Sequence, residues 1–393
     1  MRFNPEFTFG FNVRIGFVYD AVYPEVYGGG EWRNWMLARE LVSEGCEVDL
    51  LCAKLWEGPS TIKREGITLR GVRPALPLYR NGKRSLLQAA SYASSVSLAL
   101  ASGVEYDVLD CTAFPYFPAY GVWAVSKLKR NPFTLTWHEV WGGEYWREYL
   151  SGNPGAIGEA VEKYASRLPN KHIAVSEFTL NRLMSILDVK KTDATLIPNG
   201  VDFENIPSKE TPKTVDVIYC GRMLPEKNLM ALVEALAILK REGLSLTAHL
   251  CGEGPQKNGL IEAARRSHLS SVSFLPYAPS RREYFRRIAS ARIAVLPSRR
   301  EGFSFFAADA AACGVPTVTV DSKLNAAADW IEDGKTGFIV GNSPEGIAAA
   351  IRSMADEKVV VKLGKNAKNK IKTYTWNASA KKLLDAYEKL EAR

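Results

Sequence analysis

The chain has 393 residues, more than one compact core usually holds and suited to two domains. Hydrophobic residues make up 46% and charged residues 24%, which excludes a disordered, collagen-like or fibrous chain. The net charge of +8 is uneven, with 22 basic and 21 acidic side chains in residues 1–200 and 29 and 22 in the rest. An anionic ligand therefore suits the second half, and no nucleic-acid-binding module occurs, so nucleic acid is not an expected partner.

The opening segment, residues 1–12, contains Glu6 and no apolar run, so it does not read as a secretory signal. Val13–Tyr19 is the first strand-like run. A helix is expected over Glu31–Glu44, from apolar residues three and four apart, with Gly45 as its stop. Further strands are expected at Cys46–Cys52, Tyr106–Cys111, Phe133–Trp137, His172–Val175 and Thr195–Ile197. Leu86–Val104 is an uncharged stretch with five serines, read as a buried helix rather than a membrane span. Arg80, Lys83 and Arg84 before it give a weak basis for contact between the N-terminal domain and a membrane surface. Eleven aromatic residues lie between Phe114 and Tyr149. Trp141–Trp146 reads as a loop that core packing explains poorly, with aromatic faces that suit a sugar ring or a membrane interface.

Pro198-Asn199-Gly200 ends the alternation, and the polar stretch Asn205–Pro212 reads as a linker. Strands resume at Val215–Cys220, Leu246–Cys251, Val272–Leu275, Ile293–Leu296, Thr317–Val320 and Phe338–Val340. A last helix is expected over Trp376–Leu390. Continuous apolar strands joined by helices indicate parallel sheets. The expectation is an α/β chain of two doubly wound, Rossmann-like domains facing across a cleft. Residues 1–204 form the first domain, 205–373 the second, and 374–393 hold a last helix beyond the second sheet. The six cysteines are scattered, without a metal-type spacing, so a reduced, cytoplasmic chain without disulfides or zinc is expected.

In such sheets ligands meet the loops that leave the carboxyl ends of strands. After the first strand, Gly28-Gly29-Gly30 opens a helix, allowing close backbone approach and offering N–H groups to an anion. It is not a dinucleotide fingerprint. After the second domain's first strand come Gly221, Arg222 and Lys227. Lys227 is expected in a first helical turn, where a cation opposes the macrodipole. A guanidinium fork and an ammonium suit a diphosphate between them. Neutralisation of Lys227 by Glu226 is the alternative, and the residues alone leave both open. A third loop follows Leu296. Glu301 sits in it and Asp309 lies eight positions on, in a helix of small residues. Carboxylates there can accept from sugar hydroxyls, and the amides of Gly302, Phe303, Ser304 and Phe305 can meet phosphate or hydroxyl oxygens. His138 follows Phe133–Trp137, at a strand end.

Taken together, these segments resemble the retaining glycosyltransferases of family 4, with the GT-B fold. The matching residues are Gly28–Gly30, Thr136-Trp137-His138-Glu139, Pro198–Asp202, Gly221-Arg222 with Lys227, Gly252–Pro255, Glu301–Ser304 with Asp309, and Ile331–Gly337. They occur in family order over nearly the whole length. The resemblance implies transfer of a hexose-type sugar from a UDP- or GDP-linked nucleotide diphosphate sugar to a sugar-containing acceptor, with retained anomeric configuration and no separate cofactor. It also implies that the 374–393 helix crosses back to the first domain, with the aromatic Trp141–Trp146 segment expected on the acceptor side, and it implies roles. Arg222 and Lys227 would hold the diphosphate, and Gly29, Gly30 and Gly254 would approach the donor. His138 would contact the donor sugar, Glu301 its hydroxyls and Asp309 the ribose. Asp309 is one methylene shorter than the family's usual Glu. Asn325-Ala326-Ala327-Ala328-Asp329 replaces the usual Gly-Gly before an acidic residue. No Asp-x-Asp triplet occurs, so no metal is expected. The rivals are another GT-B sugar-nucleotide enzyme, such as an epimerase or a glycogen-type synthase, and a catalytically silent sugar-binding scaffold.

Overall fold

A computed structural model describes residues 13–80, 83–150, 153–209 and 211–391. Residues 1–12, Glu210 and the side chains of Arg80, Lys83 and Asp329, all read above, lie outside the described residues. The fold forms two compact units. Unit 1 gathers residues up to Val175, Thr179–Ile197 and the chain from Ser379 on; unit 2 gathers Ser176–Phe178 and Pro198–Ala378.

Unit 1 carries β1 (Arg14–Val18), α1 (Gly29–Ser43), β2 (Glu47–Lys54), β3 (Thr61–Arg64), β4 (Ile67–Pro74) and a small hairpin, β5 (Tyr79–Arg80) with β6 (Lys83–Arg84). Then follow α2 (Leu86–Ser102), β7 (Val108–Thr112), α3 (Phe117–Lys129), β8 (Phe133–Trp137), α4 (Gly142–Leu150), α5 (Asn153–Ala165), β9 (Lys171–Ala174), α6 (Glu177–Leu187) and β10 (Ala194–Leu196). The main sheet runs β10-β9-β8-β7-β1-β2-β4-β3. Its strands pair in parallel except β3, which is antiparallel to β4. That edge hairpin was not expected. Glu65 and Gly66, both at positive φ, form a two-residue loop between the paired Arg64 and Ile67, the geometry that matches strand twist. The polar sequence of β3 hides it from a search for apolar runs.

Two further readings are corrected. Gly142–Leu150 is a helix, and Trp141 and Trp146 are buried. The organising group is Glu162 on α5, itself fully buried. Its carboxylate accepts from the Trp141 and Gly142 amides at 2.7 and 2.8 Å, the Trp146 indole at 2.9 Å and the Tyr116 hydroxyl at 2.8 Å. One carboxylate thus satisfies donors at the start of α4 and holds the aromatic cluster around them. The second correction concerns α2, which is not buried all round: Leu87 and Leu98 are largely exposed. Among the described residues, no helix is long and apolar enough to cross a membrane.

Unit 2 carries β11 (Val215–Cys220), α7 (Leu229–Arg241), β12 (Ala248–Cys251), α8 (Lys257–Arg266), β13 (Val272–Leu275), α9 (Arg281–Ala289), β14 (Ala291–Leu296), β15 (Arg300–Glu301), α10 (Phe305–Ala312), β16 (Thr317–Val320), β17 (Leu324–Asn325), α11 (Ala327–Trp330), β18 (Gly337–Val340), α12 (Pro344–Ser353) and α13 (Glu357–Ile371). Its sheet runs β13-β12-β11-β14-β16-β18, all parallel. The strands at 215–220, 272–275 and 317–320 have the expected bounds. A final helix, α14 (Trp376–Glu391), starts in unit 2, and its later turns belong to unit 1. There the Tyr387 hydroxyl donates to Asp110 at 2.7 Å.

Helices α1 and α10 stop in the same way. Gly45 and Gly314 take positive φ, and the two amides at each stop donate back to carbonyls of the last turn. This double-bonded stop needs a residue that tolerates the left-handed region.

Glu162→Gln leaves one acceptor oxygen for four donors. It should destabilise the chain by about 1–3 kcal/mol, from lost hydrogen bonds and an unsatisfied amide. That corresponds to a melting temperature roughly 2–12 °C lower. Calorimetric or circular-dichroism melting checks this, and an unchanged transition would show that Glu162 is dispensable.

Candidate active site

In unit 2 the chemistry gathers on loops after β11 and β14. Lys227 does not occupy the first turn of a helix. Pro225–Lys227 forms a separate 3-10 turn, and Asn228, at positive φ, precedes α7. The Lys227 ammonium sits 2.7 Å from a Glu301 carboxylate oxygen. Glu226 does not neutralise Lys227; it pairs with Arg300 at 3.1 Å. Successive residues of a strand point to opposite sides, so Arg300 and Glu301 each meet one member of Glu226-Lys227. Two crossed ion pairs therefore tie the loop after β11 to the loop after β14. The backbone adds a third tie, Arg299 N–H to Glu226 O at 2.9 Å.

Glu301 is buried and braced from its other side. β15 pairs with β17, with Glu301 opposite Asn325, and the Ala326 amide donates to Glu301 O at 2.9 Å. Asn325 is buried; its amide donates to Thr319 and Val320 and its oxygen accepts from Ala327 N–H. The 325–328 segment that departs from the family pattern is thus the floor under Glu301.

Arg222 is exposed at the tip of its loop, and its carbonyl accepts from the Tyr219 hydroxyl at 2.9 Å. Gly254 lies against the same loop. A side chain there would stand 2.4 Å from Met223 O, while Met223 N–H donates to Glu253 O at 2.8 Å. The bare backbone at Gly254 serves this clasp.

The Gly302–Phe305 segment opens α10. Ser304 takes φ +69° and its hydroxyl accepts from Ala307 N–H, so one amide of the helix start is already capped. A non-glycine residue in the left-handed region is held there by its surroundings. Phe303 O accepts from the Trp330 indole at 3.1 Å. Asp309 is buried and separate from the Lys227–Glu301 pair. Arg281 on α9 reaches it at 3.3 Å and also reaches Asp202 at 3.4 Å. One guanidinium therefore bridges two buried carboxylates. Burial pushes the Asp309 carboxyl up to about 6, against the pull of Arg281 and Tyr284. The Asp202–Arg281 partners were not read from the sequence. Asp202 closes the Pro198–Asp202 segment, but Arg281 lies in a stretch with three neighbouring cations and no distinguishing pattern.

In unit 1, α1 begins at Gly29, with Gly28 extended before it. This helix start brings its own anion: Glu31 folds back so that a side chain at Gly28 would stand 2.3 Å from its carboxylate. A side chain at Gly30 would press on the Tyr19 ring at 3.2 Å. His138 follows β8, half-buried, with Nε2 fully enclosed and without a hydrogen-bond partner among the described residues. Burial, aided by the positive charge of Arg33, holds its imidazole down to about 3. It is therefore neutral at physiological pH. Arg33 also acts on the buried Asp110, which accepts from Thr136 at 2.7 Å. His172 has a structural task, accepting from the Trp137 indole at 3.0 Å. Among the described residues, no cluster of three or more His, Cys, Asp or Glu could hold a metal ion.

Comparison with known proteins matches two family models in succession. Residues 27–205 match "Glycosyltransferase Family 4" and residues 214–357 match "Glycosyl transferases group 1". The chain is 28% identical over 251 residues to a glycogen synthase of Mycobacterium tuberculosis, covering 62% of this chain and 59% of that relative. Among solved structures it resembles a sucrose-phosphate synthase from Thermosynechococcus elongatus, with a TM-score of 0.82 and 18% identity over 97% of this chain and 99% of the other. It also resembles Anabaena Alr3699/HepE in complex with UDP-glucose, with a TM-score of 0.73 and 17% identity over 96% and 100% of the two chains.

The neutral His138 makes a pH prediction. The unfolded chain takes up this proton near pH 6.5, while the folded chain resists it until about 3. Its contribution is fully present above pH 6.5 and is lost as pH falls through that range. His138→Asn should flatten the fall in stability between pH 6 and 5 by up to about 1.4 kcal/mol per pH unit. Denaturant unfolding at the two pH values measures it, and an unchanged slope would contradict the assigned environment.

Proposed function

We propose, for a chain that belongs to the family 4, group 1 glycosyltransferases of GT-B fold, that it moves a hexose-type sugar from a nucleotide diphosphate sugar to an acceptor with retention of configuration. The observation that carries this reading is the Lys227–Glu301 contact at 2.7 Å on the loops after β11 and β14. In it a cation suited to a diphosphate and a carboxylate suited to sugar hydroxyls already stand side by side.

The pair works as a placeholder. A diphosphate carries more negative charge than one carboxylate, so it draws Lys227 away from Glu301. Glu301 is then released to accept from hydroxyls of the donor sugar. Arg222 adds a planar fork of donors to the same diphosphate. As the bond to the anomeric carbon breaks, negative charge gathers on the departing nucleotide, and both cations stabilise it. Amides of the Gly302–Phe305 segment and the bare backbone at Gly254 complete the donor contacts. Asp309 binds the ribose, and its Arg281 bridge sets how far it reaches. From unit 1, His138 is assigned to the donor sugar as a neutral hydrogen-bonding group, and Gly29 and Gly30 to close backbone contact with donor or acceptor. No step requires a metal. The donor is UDP- or GDP-linked, in line with the UDP-glucose held by the Anabaena protein. A glycogen-type synthase is the second reading, favoured by the similarity to the mycobacterial glycogen synthase.

Release of nucleotide from UDP- and GDP-sugars, with and without glycan primers, tests the reading. Turnover should persist in chelator. Arg222→Ala and Lys227→Ala should each lower it roughly 10²-fold or more, and Arg222→Lys should not restore it fully. No sugar-nucleotide turnover with any donor would leave the silent-scaffold reading standing.

Asp309→Asn should act on affinity rather than rate. A lost hydrogen bond to a charged group costs about 1.5–3 kcal/mol, raising the donor KM roughly 10- to 150-fold with little change in kcat. Glu301→Gln should chiefly lower kcat. Steady-state kinetics of both variants decide this, and an equal kcat loss at the two positions would defeat the division of roles.

A further inference from the structure

Helix α2 has an unusual composition for a surface element. No Asp, Glu, Lys, Arg or His occurs from Ser85 to Val104. Yet Leu87 is 73% exposed and Leu98 71% exposed. They stand eleven residues apart, three helical turns, and so share one face directly opposite the buried Tyr92, Val96 and Leu100. The serines do not restore polarity to this helix. Ser94, Ser95, Ser97 and Ser102 each donate to the carbonyl four residues back, at 3.1, 3.0, 2.6 and 2.8 Å. Their hydroxyl protons are used within the helix, which lowers the cost of moving this face out of water.

Helix α3 extends the same surface. A side chain at Gly121 would stand 1.8 Å from the Ser97 hydroxyl, so small residues bring the two helices into close contact. Leu128 on α3, two turns on from Gly121 and so on the flank beside α2, is 82% exposed. Lys127, Lys129 and Arg130 end that helix, and neither helix contains an acidic residue.

We propose that the α2–α3 face of unit 1 is a docking surface for an anionic lipid bilayer. Exposed leucines with a cluster of cations beside them are the elements of a helix pair lying in a headgroup layer. The charge pattern selects this occupant over a second copy of the chain. A two-fold contact pairs this face with itself, and neither helix supplies an acidic side chain to meet the other copy's Lys127–Arg130 cluster. An anionic surface attracts the cluster and accepts the leucines. The proposal stands independently of the sugar-transfer reading.

Sedimentation of the full chain with vesicles tests it. The chain should bind phosphatidylcholine vesicles containing phosphatidylglycerol, bind phosphatidylcholine alone much less, and release at about 0.5 M salt. Leu98→Ser with Leu128→Ser, and separately Lys127→Glu with Lys129→Glu, should each weaken binding roughly tenfold or more. Unchanged melting of these surface variants confirms that they fold. Absence of binding to the anionic vesicles, or equal binding by the native chain and both variants, would overturn the proposal. So would light scattering that shows a dimer in the native chain and a monomer in the leucine variant.

Discussion

The second unit of this protein depends on the crossed pairing of Glu226-Lys227 with Arg300-Glu301. Two loops leave neighbouring strands of one sheet, and each alone would be a polar excursion with its own freedom. Opposite charges in alternating register hold them in one arrangement. Both pairs are largely shielded from water, where the interaction is stronger than on an open surface but the charges must stay matched. Removing one partner strands a buried charge, so the proposed ligand chemistry would draw on the same residues as the local fold.

Buried carboxylates recur as fixing points. Glu162 gathers four donors around the start of α4, Asp110 takes hydroxyls from Thr136 and Tyr387, and Asp309 shares Arg281 with Asp202. The Asp110 contact reaches from β7 to the last helix of the chain. These are long-range polar contacts within apolar surroundings, and each specifies one arrangement of elements that hydrophobic burial alone would leave slack.

Much of the framework was legible in the sequence because parallel strands are continuous apolar runs. Ile293–Leu296 and Phe338–Val340 stand out for that reason, and Gly45 marks a helix end because only a flexible backbone makes that stop. Edge strand β3 was not legible, since alternating Thr, Ile, Lys and Arg lacks a core signature. The helical character of Gly142–Leu150 was hidden by its two leading glycines, and by the absence of any local sign that Glu162 anchors it from twenty residues away. Lys227 and Glu301 could each be singled out by position, but their contact spans 74 residues. Neither periodicity nor spacing encodes such a pairing, and Arg281 escaped for the same reason.

The most direct test of the account is calorimetric titration of nucleoside diphosphate and nucleoside monophosphate, of the base the enzyme accepts, into the native chain and Lys227→Met. The account places Lys227 on the diphosphate in exchange for Glu301. It therefore predicts that the native chain prefers the diphosphate strongly and that Lys227→Met loses most of that preference while still binding the monophosphate. A preference that survives intact in Lys227→Met would contradict it.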